Sequence, residues 1–389
     1  MPWKECDKVS ERMSFLSRLR DGERMTDLCK EFGISRVTGH KIWNRYKNEG
    51  LQSLNDRSKK PWRLANQTPP LVEQAILDIK AQHPTWGAPK IRAYLERRQK
   101  HLHLPARSTV HAILDRHQLV KKKVNRRRFK AVGTSLAKAD APNNIWCADF
   151  KGQFRMENHQ YCYPLTITDQ YSRYLLACEA LESVREVGAI ECFRRIFTDF
   201  GLPDAIRTDN GTPFSTRTLF GLSKLSVLWL RLGIRLERIT PGRPEQNGQH
   251  ERMHRTLKQT VTKPPGRNIL HQQEIFDHFV DVFNQERPHE GIGMQCPSDL
   301  YVASRREYPK ILEDYDYRDF EYTRRVQGSG VIRFKGGKRI FISDVFAEQE
   351  VGIKEVEDGI WAVNFMGYEL GYFSSDTNRF NPASNPFIN

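Results

Sequence analysis

The feature that constrains this chain most is a change of hydrophobic period at Ala141-Pro142. Before it, apolar residues recur at spacings of three and four, as on helices that bury one face; after it they alternate, as on strands. The reading is therefore multidomain, with an all-α N-terminal part followed by an α/β part. A length of 389 residues agrees, because it exceeds one ordinary core.

Charge divides at the same place. Residues 1–140 hold 31 Lys and Arg against 14 Asp and Glu, whereas residues 141–389 hold 31 against 33, so the net +15 belongs to the first third. A basic field of this kind gathers polyanions through counterion release, and nucleic acid is the commonest partner. An anionic membrane is the rival reading. It is disfavoured because no run of roughly 18 apolar residues exists and the start, Met1-Pro-Trp-Lys-Glu-Cys6, lacks a signal-peptide core. The expectation is a soluble, intracellular protein. Its seven cysteines are odd in number and scattered, with no C-x-x-C pair, and read as reduced thiols.

Residues 8–48 read as three short helices carrying Met13, Leu16 and Leu19, then Met25, Leu28 and Phe32, then Val37, Ile42, Trp43 and Tyr46. Gly33 permits a tight left-handed turn before the third, and Ser35 can cap it. That is a helix-turn-helix whose reading helix would present Arg36, Thr38, His40, Lys41, Asn44 and Arg45 to DNA; the alternative is a bundle with a solvated polar face. Leu51 to Pro61 is turn-rich and basic, and reads as a linker. A second helix-turn-helix is expected from Pro69, with Leu71, Ala75, Ile76 and Ile79, then Ile91, Tyr94 and Leu95, then Val110, Ile113 and Leu114 on its inner faces, Trp86 as a core anchor and Ser108 as a cap. Lys121, Lys122, Lys123, Arg126, Arg127, Arg128 and Lys130 crowd ten positions. Their repulsion prevents independent folding, and the run is read as an arm that tracks a DNA backbone.

After Pro142 the expected order is a strand over Ile145 to Phe154, strands over Tyr161 to Thr168 and Tyr174 to Glu179, and a helix from Val187 to Phe200. A strand at Ala205 to Thr208, a helix over Thr216 to Gly233, a strand at Ile234 to Ile239 and a helix starting near Pro244 follow. This is a mixed sheet, and such sheets place their sites at strand carboxyl ends. Asp149, Asp209 and Glu251 fall at such places. Three carboxylates suit hard divalent cations, and two Mg2+ ions about 3.5–4 Å apart can neutralise both the attacking and the leaving oxygen of a phosphodiester.

Trp146-Cys-Ala-Asp149, Thr208-Asp-Asn-Gly211 and Pro241-Gly-Arg-Pro-Glu-Gln-Asn-Gly-Gln-His-Glu-Arg252 resemble the three catalytic blocks of D-D-E transposases of bacterial insertion sequences, in the superfamily of retroviral integrases with a ribonuclease-H-like core. Asn284-Gln-Glu-Arg-Pro-His-Glu-Gly-Ile-Gly293 with Pro297 is similar to the segment that closes that core, so the resemblance spans at least residues 8–300. It implies that Asp149, Asp209 and Glu251 are catalytic and hold two Mg2+ ions, with Mn2+ able to substitute. It also implies that Arg255 and Lys258, on the face of Glu251, contact DNA. The implied activity is binding of terminal inverted repeats, metal-dependent hydrolysis of DNA strands and joining of the 3′-OH to target DNA by transesterification. The implied partners are double-stranded DNA and further copies of the chain, as a dimer or higher oligomer, with no membrane. A cytoplasmic, nucleoid-associated bacterial protein is expected. The competing class is a non-catalytic DNA-binding regulator derived from a transposase; a nuclease without strand transfer is a third.

Two motifs compete with this assignment. The spacing common among relatives falls on Glu245, whereas Glu251 stands six positions later. Glu251 is preferred because it follows the Asn247-Gly248 turn, with the surplus taken up by a long helix over Thr216 to Gly233, and Glu245 is read as a helix N-terminal acid. His250-Glu-Arg-Met-His254 matches the zinc-protease pattern, but that site needs a third ligand and leaves both aspartates unexplained.

From Tyr301 the resemblance fades. Gly330 to Ile342 reads as a hairpin with a Gly-Gly turn, and short strands continue to Phe373. A small all-β barrel, SH3-like, is expected, with Arg333, Lys335, Lys338 and Arg339 serving either DNA or the solubility of an edge strand. The expected divisions are 1–60 and 61–120 (helix-turn-helix), 121–140 (basic linker), 141–300 (ribonuclease-H-like core) and 301–389 (barrel).

Overall fold

The computed structural model describes residues 7–56, 67–120, 136, 138–240 and 244–387. It divides into two compact units, Met1–Thr68 and Pro69–Asn389.

In the first unit, α1 (Lys8–Arg20), α2 (Met25–Glu31) and α3 (Arg36–Glu49) close over Phe15, Leu16, Leu28, Cys29 and Leu54. Ser35 caps α3 by accepting from the Thr38 N–H at 3.1 Å, as its sequence position predicts. Gly39 is where α3 meets α2: a Cβ there would lie 2.5 Å from Cys29 Sγ and 2.8 Å from Met25 Sδ. The start of the expected linker is instead part of this core. Gly50–Leu54 is a 3-10 turn that buries Leu54, and Arg12 donates to the Leu54 carbonyl at 2.6 Å.

The second unit opens with α4 (Pro70–Gln82), α5 (Ala88–Arg98) and α6 (Arg107–Arg116), packed around Ile76, Trp86, Ile91, Leu95 and Ile113. Trp86 is buried and stacks on His83 at 3.8 Å, the anchor expected of it. Ser108 lies inside the first turn of α6 rather than capping it; Ala106 holds the cap position. Arg97 grips both Asp299 oxygens, tying this bundle to the segment that follows the last helix of the α/β part.

The sheet is built from β1 (Ile145–Phe150), β2 (Phe154–Arg155), β3 (Tyr161–Asp169), β4 (Leu175–Leu181), β5 (Ala205–Thr208) and β6 (Arg235–Arg238). Its main order is β4-β3-β1-β5-β6, antiparallel among the first three and parallel from β1 onward, with β2 pairing the start of β3. The strand expected to reach Phe154 breaks after Phe150, where Gly152 adopts φ +80°. Four further helices cover the sheet: α7 (Glu186–Phe200), α8 (Lys224–Arg231), α9 (Gly248–Val261) and α10 (Ile269–Asp281). Strand alternation sorts the faces. Trp146, Ala148, Leu165 and Ile167 meet α7 and α8, whereas Cys162, Leu175 and Cys178 meet α9 and α10. Asp149, one residue past Ala148, therefore faces the α9 side.

The long helix expected over Thr216 to Gly233 is a correction. Only Lys224–Arg231 is α-helical, because Ser223 and Ser226 form a reciprocal capping box. The preceding stretch is irregular: Phe220 and Gly221 take φ of +56° and +64° in a 3-10 turn, and Phe220 is buried. A longer helix therefore does not account for the six surplus residues ahead of Glu251.

Residues beyond the core continue to cover it. Tyr301 stacks on Tyr174 at 4.3 Å and donates to Asn143 Oδ1 at 2.9 Å. Seven strands follow: β7 (Tyr322–Arg325), β8 (Val331–Phe334), β9 (Lys338–Phe341), β10 (Glu350–Glu357), β11 (Ile360–Phe365), β12 (Tyr368–Ser374) and β13 (Phe380–Pro382). The region is all-β as expected, but the sheet does not close into a barrel. β13-β12-β11-β10-β7 form an open antiparallel sheet, and β8-β9 stand apart as a hairpin that packs on it through Phe334 and Trp361, with ring centres 4.8 Å apart. No helix among the described residues is long and apolar enough to cross a membrane.

Candidate active site

Sheet register brings the two aspartates together. Ala148 on β1 pairs with Thr208 on β5 in parallel, so the next residues, Asp149 and Asp209, leave adjacent strands side by side. The Thr208-Asp-Asn-Gly211 block holds this exit in place. Asp209 Oδ1 accepts from the Gly211 N–H at 3.0 Å, and Asn210 donates from its amide to the Ile239 carbonyl at 2.8 Å. A Cβ on Gly211 would press on the Asp209 carboxylate at 3.0 Å.

Glu251 lies in the first turn of α9. A 3-10 turn, Pro244–Asn247, precedes the helix, and Gln246 staples it to the end of β6 by accepting from the Thr240 N–H at 2.8 Å. Glu245 belongs to this turn; its side chain lies outside the described part. Asp149 is half-buried, and its carboxyl is pushed up to about 7, first by burial and then by Asp209. Glu251 adds to the effect, while the Phe150 N–H and Lys151 oppose it. Asp149 is therefore close enough to the other two acids predicted from the sequence to feel their charge. Their donor set fits a divalent cation: three carboxylates, one of them held back from ionising first by burial and then by its acidic neighbours.

Arg255 and Lys258 are exposed on the Glu251 flank of α9. No ion pair among the described residues joins either to Glu251, which removes the simple intrahelical explanation. His250 and His254 face the sheet. Both are buried, with Nε2 atoms 2.7 and 2.6 Å from Thr166 Oγ1. Asp149, His250 and His254 offer ligand atoms within 4.8 Å of one another, and burial pushes the imidazoles down to about 3 and about 2. The sequence marked the pair only as a rival zinc motif and did not show that it backs onto Asp149.

Helix α9 also borders a cleft of about 1520 Å³ whose lining includes Lys90, Arg173, Arg252, Arg255 and Arg287. Burial and then Arg287 bring the Lys90 ammonium down to about 7, and burial brings Arg287 to about 10. Arg173 Nη1 is buried without a hydrogen-bond partner. Of these cations the sequence marked only Arg255; Lys90, Arg173, Arg252 and Arg287 were missed as a group because they come from separate segments.

In the first unit, Arg36, Thr38, His40, Lys41 and Asn44 are exposed on α3, and all but Thr38 line a concavity that also includes Val37. Val37, read as apolar core, is 79% exposed on this face. Arg45 turns inward instead, donating to Glu49 at 3.2 Å and to the Asn55 carbonyl at 2.8 Å. Lys121, Lys122, Lys123, Arg126, Arg127, Arg128 and Lys130 lie outside the described residues.

Residues 139–244 and 232–297 match family models described as integrase core domains, residues 11–61 match a helix-turn-helix domain, and residues 38–114 match a homeodomain-like domain. These matches support a relationship to the retroviral-integrase superfamily, at the level of an integrase core joined to helix-turn-helix segments. Among particular proteins, the chain is similar to the Gag-Pol polyprotein of baboon endogenous virus (strain M7), 32% identical over 126 residues, covering 32% of this chain and 7% of that one. It is also similar to the Pol polyprotein of radiation murine leukemia virus (strain Kaplan), 27% identical over 188 residues, covering 48% of this chain and 31% of that one. The chain thus spans less than a third of the length of these relatives. Among solved structures, the HTLV-2 integrase catalytic core domain in complex with magnesium aligns with 16% identity and a TM-score of 0.34, covering 42% of this chain and 100% of that one.

Proposed function

We propose that the protein is the transposase of a bacterial insertion sequence, with helix-turn-helix units over 1–60 and 61–120, a basic arm over 121–140 and a catalytic core over 141–300. In this reading the helical units bind the terminal inverted repeats of the element. Arg36, Thr38, His40, Lys41 and Asn44 on α3, with Val37 among them, approach the DNA, and the arm follows its backbone. Asp149, Asp209 and Glu251 hold two Mg2+ ions, for which Mn2+ substitutes. Bound there, the ions supply charge neutralisation and a polarised water or 3′-hydroxyl for in-line attack on phosphorus.

The chain's own residues do the positioning. Asp149 carries a proton near neutral pH unless a cation displaces it, so the site loads with proton release. Arg255 and Lys258 stand free of Glu251 and can take up phosphates beside it. Hydrolysis of one strand frees a 3′-OH, which then attacks a target phosphate at the same carboxylates, forming a new phosphodiester as the target's own P–O3′ bond breaks and its 3′-oxygen leaves as a hydroxyl. Two element ends must be joined together, so the working form is a dimer or higher oligomer on DNA, in the bacterial cytoplasm with the nucleoid.

The observation that carries this reading is the β1–β5 register, which sets Asp149 beside Asp209 and within the field of Glu251. The test is incubation of labelled terminal-repeat DNA with Mg2+ or Mn2+ and wild-type, Asp149→Asn, Asp209→Asn, Glu251→Gln and Glu245→Gln protein. Cleavage and strand transfer should vanish in the first three variants and persist in the last. Loss in Glu245→Gln with cleavage intact in Glu251→Gln would reassign the third ligand. Specific binding without cleavage by the wild type would establish a non-catalytic regulator instead.

A further inference from the structure

The histidines beneath Asp149 have hydrogen bonds that fix their tautomers. Thr166 Oγ1 has one proton and three polar neighbours: the Asp149 carbonyl oxygen at 3.0 Å, His250 Nε2 at 2.7 Å and His254 Nε2 at 2.6 Å. A carbonyl oxygen can only accept, so the hydroxyl proton goes there, and both imidazoles donate their Nε2–H to the Thr166 oxygen. Thr168 Oγ1 lies 2.9 Å from His250 Nδ1 and donates to it, which completes that ring. His254 has no corresponding donor among the described residues. Its Nδ1 lone pair faces Asp149 Oδ2 at 3.7 Å, too far for a hydrogen bond and with no other partner between them among the described residues.

Such a pair is stable when a positive charge lies between its members. Ligand atoms each about 2.1 Å from one cation stand about 3.0 Å apart at right angles and about 4.2 Å apart when opposed, a range that includes the observed separation. A metal-bound histidine ordinarily gives its other ring N–H to an acceptor that sets its orientation. Thr166 is that acceptor here, and its bond to the Asp149 carbonyl fixes the aspartate in the same step.

We infer that His254 Nδ1 is a nitrogen ligand to the divalent cation held at Asp149, an inference that rests on the metal-dependent function proposed above. The site is then of mixed oxygen and nitrogen character, and it favours Mn2+ over Mg2+ more strongly than carboxylates alone would. Glu251, which shares the same helix, provides an oxygen ligand from a different flank, so α9 contributes two ligand types.

The test uses the full chain loaded with Mn2+ and electron spin echo envelope modulation, which detects nitrogen bound to the metal. Wild-type protein is expected to show 14N modulation that converts to the 15N pattern when the protein is produced with 15N-histidine. His254→Gln should abolish the signal and lower the ratio of Mn2+ to Mg2+ affinity by about tenfold or more. The isotope readout needs no variant, so it stands even if His254→Gln folds poorly. Mn2+ that binds without nitrogen modulation overturns the inference and leaves the metal-dependent function intact. Modulation that persists in folded His254→Gln places the nitrogen elsewhere and also overturns it. Absence of Mn2+ binding in the wild type overturns the metal-dependent function itself, and the inference with it.

Discussion

Arg207 and Glu237 form a buried ion pair across β5 and β6, with Nη2 2.7 Å and Nε 3.1 Å from Oε2 and side chains only 1% and 8% exposed. They are register partners, and Arg207 stands two residues before Asp209. Removing one member strips the other of its main buried charge partner, at a cost of about 3–5 kcal/mol. Glu237→Leu should lose that much in denaturant unfolding and lose cleavage activity as well, because the strand carrying Asp209 loosens. Arg207→Met combined with Glu237→Leu should recover most of the stability. A single variant as stable as wild type would refute the coupling.

Asp149 gives a pH dependence whose sign follows from its shift to about 7 from an ordinary 3.8. Between those values the folded, metal-free chain keeps a proton that the unfolded chain releases, so Asp149's contribution to stability falls as pH rises through this window. Cation binding needs the ionised form. Calorimetry in buffers of different ionisation enthalpy should therefore show close to one proton released per site near about pH 6 and almost none above about pH 8. Asp209→Asn removes one of the causes and should move the release to lower pH.

Lys90, on the cleft side of α5, has the opposite sign. Its ammonium is brought from 10.5 down to about 7, so between these values the unfolded chain holds a proton that the folded chain lacks, and stability rises with pH. Lys90→Met should flatten that rise and raise the melting temperature of the DNA-free protein at neutral pH. An unchanged pH profile would mean that the ammonium is solvated.

On α3, the inward turn of Arg45 separates two roles. Lys41→Ala should reduce the salt dependence of DNA binding by about one counterion, as expected for a phosphate contact. Arg45→Ala should leave the salt slope alone and destabilise the first unit by about 1 kcal/mol through loss of its bonds to Glu49 and Asn55.

Gly39→Ala tests the meeting of α2 and α3. The added methyl would collide with Cys29 and Met25, at a cost of about 1–3 kcal/mol. Thermal unfolding of the first unit should reveal it, and weakened repeat binding should accompany it. A neutral substitution would show that the helices can separate freely.

Much of this arrangement is legible from local chemistry. Asp209 sits in a turn whose own residues hold it, and Glu251 follows a turn that launches its helix, so both positions can be read from neighbours in sequence. What escapes such reading depends on distant partners. Leu219, Phe220 and Leu222 look like one face of a long helix, yet Phe220 and Leu222 bury against the C-terminal sheet. Val37 has the period of a core residue and faces outward, because Gly39 rather than Val37 meets α2. Barrel closure requires β7 to meet β13, which no local pattern encodes. The orientation of His254 toward Asp149 depends on which face of α9 the sheet covers.

Helix α8 belongs to two hydrophobic cores at once: Leu225 and Trp229 pack with the β1–β6 sheet, while Val227 and Leu230 pack with Phe346, Val363 and the rest of the C-terminal sheet. The C-terminal region is consequently no detachable accessory. A chain cut after residue 300 would bare a greasy stripe on α8, so the point where the sequence resemblance fades marks a change of architecture inside one compact unit.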